Sequence, residues 1–220
     1  MPAIPNDDRF TRFALACGIA VPLLYFGAQL AAAPFFPGYS FLAHSASLLG
    51  SDLSDRPSVL NAGAMATGAA ALVAAAGFWR ALRGLGTPFL LSGLVSLAVA
   101  SAGGGALWAG LFPLPDPRHD PGALGAGLFL LPVLFLPALW HRVPSRALRA
   151  YLVANAALFV ALFPLLSGAT GLDTSGYAGL LQRLFAVSAF GPIGVIAAVL
   201  LRTGAAATAP ADPRFAARAT

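Results

Sequence analysis

Six stretches of this chain are long, apolar and free of formal charge: Phe13 to Ala33, Val59 to Trp79, Thr87 to Phe112, Gly122 to Trp140, Ala150 to Gly168 and Leu184 to Leu201. A helix rises about 1.5 Å per residue, so crossing a hydrocarbon core of about 30 Å takes roughly 20 apolar residues. Core helices of water-soluble domains are rarely this long and this clean. The pattern predicts a single all-α integral membrane bundle of six transmembrane helices. A composition of 58% hydrophobic and 10% charged residues fits a bilayer as the solvent. The expected layout is an N-terminal segment 1–12, a transmembrane domain 13–202 and a disordered tail 203–220, whose "TGAAATAPADPRFAARAT" has no apolar periodicity to bury.

Helix punctuation falls at the same limits. Asp55 or Ser58 can cap the second span, Thr87 before Pro88 opens the third, Asp120 before Pro121 opens the fourth and Ser145 opens the fifth. The first span does not read as a cleaved signal. Its apolar run is too long for one, Asp7 and Asp8 spoil the basic flank, and Pro34 would follow the cut. A lipoprotein reading of Cys17 fails because the apolar run follows that cysteine, which is expected to pack within a retained first helix. Prolines 22, 132, 137, 164 and 192 sit inside spans and free backbone carbonyls.

Orientation follows from arginine placement. With the N-terminus inside, the inner segments hold Arg9, Arg12, Arg80, Arg83, Arg142, Arg146, Arg149, Arg202, Arg214 and Arg218, while the outer loops hold Arg56, Arg118 and Arg183. Both termini are therefore expected in the cytoplasm and the protein in the cell inner (plasma) membrane. Asp52, Asp55, Asp116, Asp120 and Asp173 all fall on the outer side. The net charge of +5 is dispersed in ones and twos, without a basic stripe interleaved with aromatics, so nucleic acid is excluded as a partner. The expected partners are the lipid bilayer and a small-molecule or lipid ligand. The row Ser92, Ser96, Ala100 and Gly104 serves bundle packing, with a face for a second copy as its other use.

The stretch "YSFLAHSASLLGSD", residues 39–52, is the polar anomaly. Wound as a helix, Ser40, His44, Ser47 and Ser51 share one face, and Phe41, Leu42, Leu48 and Leu49 lie largely on the other. The expectation is a short interfacial helix, apolar side down, or one whose polar face closes over a pocket at the top of the bundle. The second outer loop adds Asp116, His119 and Asp120. Arg183 enters the membrane if the sixth helix begins near Thr174, and then needs a partner, with Asp52, Asp116 and Asp120 as the available anions.

The candidate pocket residues are thus His44, Ser47, Asp52, Asn61, Asp116, His119 and Arg183. Imidazole titrates near neutrality and suits zinc and iron, which makes His44 and His119 candidates for acid-base work or for metal binding. Plainer roles stand beside these: Asp120 as an N-cap, Asp116 in a "PLPDP" turn, and Asn61 bonding across helices. No HExxH, Walker loop, GxSxG or CxxC occurs, and no pair of histidines lies mid-span to hold a haem. The sequence identifies no cofactor.

Four segments carry a resemblance: "PGYSFLAHSASLLGS", "NAGAMATGAA", "LFPLPDPRHDPGALGAGLFLLP" and "GLLQRLFA". As an ordered set they resemble the domain-of-unknown-function 998 family of bacterial and archaeal proteins, over roughly residues 15–200. The resemblance implies a six-helix integral membrane protein, distantly similar to the Frag1/DRAM/Sfk1 group, and brings no activity with it. The positions matching its polar motifs are His44, Ser47, Gly50, Asn61, Asp116, His119 and Arg183. Span six carries "FGPIG" at 190–194 where the family tends to carry a tryptophan. The leading functional expectation is a non-enzymatic membrane protein with an outward-facing polar pocket for a small molecule, lipid headgroup or ion. The alternatives are an interfacial enzyme using outer-loop His and Asp, with or without a metal, and a small transporter.

Overall fold

A computed structural model describes residues 9–208 of the chain, and the side chains of residues 9–203. Its helices are α1 (Arg9–Ala32), α2 (Pro57–Gly84), α3 (Phe89–Leu111), α4 (Gly127–Leu139), α5 (Arg146–Leu166) and α6 (Ala178–Thr208), with no strand among the described residues. Six segments are long and apolar enough to cross a membrane, each containing one of the six expected spans or most of it. α6 begins at Ala178, midway between the two starts considered, so Arg183 lies within its first turns. It also runs through Thr208, so the first residues of the expected disordered tail are helical. Residues 209–220 of that tail and residues 1–8 lie outside the described residues.

α4 is short for a membrane crossing. Its 13 residues span only about 20 Å at 1.5 Å each. The 3₁₀ turn Gly122–Gly125 ahead of it supplies the missing length, giving an 18-residue crossing from Gly122 to Leu139. Pro121 holds the N-cap position of this turn in place of the expected Asp120, which accepts from the Gly122 N–H at 2.8 Å just ahead of it, whereas Ser145 caps α5 as expected by accepting from the Leu148 N–H at 3.2 Å. The second span is capped otherwise than expected. Arg56 occupies the N-cap position without a side-chain bond, because a guanidinium has no acceptor to offer, and Pro57 at the first helical position removes one of the unpaired N–H groups.

α2 packs between α1 and α3, and α6 closes the bundle against α1, α4 and α5. Small residues set these spacings. A Cβ on Gly68 would meet the Gly103 carbonyl at 2.5 Å, so α2 and α3 touch backbone to backbone there. Gly104, from the expected small-residue row, faces Leu124 within the bundle. The core is built from Leu15, Phe78, Leu131, Phe135, Ile193 and Ile196, all fully buried. The perimeter stays apolar, with Leu90 72%, Leu23 69% and Leu97 66% exposed, which suits acyl chains and not water.

The connections α1 to α2, α3 to α4 and α5 to α6 lie at one end, here called the loop end. The short connections α2 to α3 and α4 to α5 lie at the other, the turn end.

Candidate functional site

The first loop does not form the continuous interfacial helix that its spacing predicts. Residues 41–43 form turns and only Ala46–Gly50 closes as a 3₁₀ turn, with Ser45 extended at ψ 153° between them. The cause is competition for the backbone groups a helix would need. Gln182 Oε1 accepts from the Ala46 N–H at 2.6 Å, the Leu42 carbonyl accepts from the Leu180 N–H at 2.9 Å, and the Phe41 and His44 carbonyls accept from Arg183. The expected two-faced pattern is lost as a consequence. Leu49 is fully buried with Ala32 and Leu60, whereas Phe41 and Leu42 stay exposed.

Arg183 finds its partners, but they are not the expected carboxylates. Its Nη1 donates to the carbonyls of Phe41 at 2.8 Å, His44 at 3.0 Å and Gly179 at 2.8 Å, while Nη2 donates to the Tyr39 hydroxyl. The guanidinium also lies over the Phe41 ring at 4.8 Å. The turn at 41–44 leaves carbonyls free, and these accept from the cation without a second charge having to be desolvated, while Arg183 Nε stays buried with no partner among the described residues. Gly179 makes the approach possible, since a Cβ there would collide with the Phe41 and His44 carbonyl oxygens. Tyr39 in turn donates to the carbonyls of Ser45 at 3.0 Å and His44 at 3.2 Å. Burial pushes the Tyr39 phenol up from its ordinary pKa, and the neighbouring Arg183 charge partly opposes that.

The two loops meet at Ser47 and His119. His119 Nε2 lies 2.9 Å from Ser47 Oγ, and its Nδ1 lies 2.8 Å from the Phe112 carbonyl oxygen. A carbonyl only accepts, so Nδ1 carries the proton and, in the neutral ring, Ser47 donates to Nε2. Asn61 Nδ2 ties the other end of the 3₁₀ turn to α2 by donating to the Gly50 carbonyl at 3.0 Å. A Cβ on Gly50 would run into that Asn61 carboxamide.

Beneath this roof lies a cavity of about 390 Å³. Ser47, Asn61 and His119 line it, and sequence reasoning had singled out all three. Asp120, Gln29 and Gln182 line it as well. Gln29 and Gln182 were missed. For Gln29 the available signal was a carboxamide inside an otherwise apolar span, which is costly in a membrane and therefore informative, whereas Gln182 precedes the expected sixth span and carried no such signal. Tyr25, Leu128, Phe185 and Phe190 form the apolar wall. Gln29 is 2% exposed, donates from Nε2 to the Tyr25 carbonyl at 3.2 Å, and leaves its Oε1 buried with no partner among the described residues.

The remaining candidates lie elsewhere. Asp52 is exposed on the first loop. Asp116 turns to Arg118, pairing at 2.8 Å, and the Arg118 hydrogen bonds hold its carboxyl down to about 2. Arg118 stacks over Phe112 at 4.0 Å, so this pair organises the second loop. His44 Nδ1 accepts from the Ser40 N–H at 3.1 Å. Among the described residues no three His, Cys, Asp or Glu side chains group as metal ligands, and both nitrogens of His119 already have protein partners.

Fold and site together define a multi-pass, six-helix membrane protein whose longer loops fold down over a cavity between the helices. The sequence matches the protein family of unknown function DUF998 over residues 19–211, and the chain belongs to that family. No curated protein and no solved structure gives a match.

Proposed function

We propose that the protein holds a small amphiphile in the loop-end cavity, with its polar group among Gln29, Ser47, Asn61 and Gln182 and its apolar body against Tyr25, Phe185 and Phe190. The observation that carries this reading is the lining itself, in which the carboxamides of Gln29, Asn61 and Gln182 and the Ser47 hydroxyl border one cavity with Tyr25, Phe185 and Phe190, and Gln29 Oε1 is buried with no donor among the described residues. Leaving such a group unmatched costs about 1–3 kcal/mol. A ligand hydroxyl, amide N–H or ammonium relieves that cost. A volume of about 390 Å³ lies within the range of roughly 300–1,000 Å³ common for small-molecule sites. The arginine distribution supports a cavity that faces outward, with both termini in the cytoplasm.

The test is native mass spectrometry of the full chain released from lipid nanodiscs. Wild type retains an amphiphile of defined mass, Ala106→Trp, which fills the cavity, does not, and Gln29→Leu retains less. Equal retention by all three chains refutes the reading. Orientation is tested separately in a Cys17→Ser background. A cysteine at Asp52 reacts with an impermeant thiol reagent on intact cells and one at His141 does not, and the reverse result overturns the topology.

A further inference from the structure

The Ser47 and His119 pair has more than a tethering geometry. A serine hydroxyl 2.9 Å from an imidazole Nε2, with the opposite nitrogen fixed on an acceptor 2.8 Å away, is the arrangement of a nucleophile, its general base and the group that orients the base. Three features bear on whether it can work. Both side chains line the cavity, so a bound molecule reaches them. The Phe112 carbonyl fixes the productive tautomer, with the proton on Nδ1 and the lone pair of Nε2 facing the hydroxyl. His119 is also held through its backbone, its N–H donating to the Asp116 carbonyl at 2.9 Å, which keeps the ring in place beside Ser47.

Amide donors line the same cavity. Gln182 is anchored through Oε1 on the Ala46 N–H, one residue before Ser47, and its Nε2 has no acceptor among the described residues. Asn61 Nδ2 gives one hydrogen to the Gly50 carbonyl and has a second to give. Such preorganised N–H groups stabilise negative charge developing on a carbonyl oxygen.

We propose that Ser47 and His119 form an acyl-transfer dyad that cleaves a carboxylic ester of the amphiphile held in the cavity, an inference that rests on the binding reading above. Ser47 Oγ attacks the ester carbonyl carbon while its proton passes to His119 Nε2, and the carbonyl electrons move onto oxygen beside Gln182 and Asn61. The carbonyl re-forms as the C–O bond to the leaving alcohol breaks, and His119 returns its proton to that alcohol. An acyl-Ser47 remains. Water, the second reactant, then attacks the acyl carbon with His119 taking its proton. The Ser47–acyl bond breaks, the proton returns to Ser47 Oγ, and a fatty or other carboxylic acid leaves.

The probe is a long-chain alkyl fluorophosphonate, which mimics the ester and loses fluoride to an activated serine, applied to the full chain in lipid nanodiscs. The expected result is a single adduct, mapped by peptide mass spectrometry of the wild-type protein to Ser47. Labelling is absent in Ser47→Ala and slower by more than about a hundredfold in His119→Gln, the usual contribution of a general base. The corresponding non-reactive alkyl phosphonate is the binding control. Binding of that control without a Ser47 adduct, or with an adduct on another serine, overturns the dyad and leaves the cavity reading standing. Absence of both binding and adduct overturns the cavity reading and the dyad with it. An undiminished rate in His119→Gln also overturns the assignment, because the hydroxyl would then need no base.

Discussion

Helix termini leave backbone groups without partners, and the two ends of this bundle satisfy them over very different distances. At the turn end the bonds are mostly local. Arg83 Nη1 donates to the Thr87 carbonyl at 2.7 Å, Arg149 Nε donates to the Trp140 carbonyl at 3.0 Å, and Gly86 takes the positive φ of 75° that the tight turn after α2 requires. At the loop end the partners come from opposite ends of the chain. Arg183, Gln182 and Leu180 on α6 hold residues 41–46, Asn61 on α2 holds Gly50, and His119 from the second loop holds Ser47. Local turns can fray one at a time. A roof tied to two helices and a second loop opens only when several ties break, and that keeps a cavity beneath it shaped.

The contrast can be broken most severely at Arg183. Arg183→Met removes donors to three carbonyls and to Tyr39, and at about 1.5–3 kcal/mol for each bond to a charged group it lowers stability by at least about 3 kcal/mol. Arg149→Gln at the turn end removes only one such bond and costs correspondingly less, about 1.5–3 kcal/mol. Thermal unfolding of both variants in one detergent measures the difference, and equal losses would remove the distinction between the ends. Gly179→Ala follows at about 2 kcal/mol, because its Cβ meets the Phe41 and His44 carbonyls and pushes α6 off the loop. The same melt should show Asn61→Leu losing about 1–2 kcal/mol, since the Gly50 carbonyl is left without its donor.

The smallest effect is a pH effect confined to the second loop. Asp116 is held at about 2 against an ordinary 3.8, so the Asp116 to Arg118 pairing stabilises the loop fully above about pH 4 and is lost as pH falls toward 2. Chemical shifts of residues 112–120 should follow that window in wild type and not in Asp116→Asn. A transition of the same size in the variant would assign it to another group.

The number of helices and their approximate positions, though not the ends of α2, α4 and α6, were legible because an uncharged apolar run of membrane length admits few other folds. The importance of the first and second loops and of Arg183 was legible too, since polar groups in an apolar chain need partners. The pairings were not. Arg183 was assigned to carboxylates because charge pairs with charge, yet the turn at 41–44 offered carbonyls at closer range. The helical reading of 39–52 followed side-chain spacing, which carries no information about Gln182 and Arg183, 136 to 142 positions away, taking the backbone groups such a helix needs. Gln29 escaped notice because a single amide barely disturbs the hydropathy of its span. Its significance comes from the cavity that six other segments build beside it.

The central claim is that the loop end is a prefolded roof over that cavity. Hydrogen exchange of the amides of His44, Ala46, Ser51 and Asp55, in nanodiscs, tests it most directly, since these donate to the Ser40 carbonyl, Gln182 Oε1, the Leu48 carbonyl and the Phe35 carbonyl within the roof. The account predicts slow exchange for all four in wild type and a joint acceleration in Arg183→Met, with the turn-end amides of Leu85 and Gly86 unchanged. Rapid wild-type exchange of the four, or acceleration of one without the others, would contradict it.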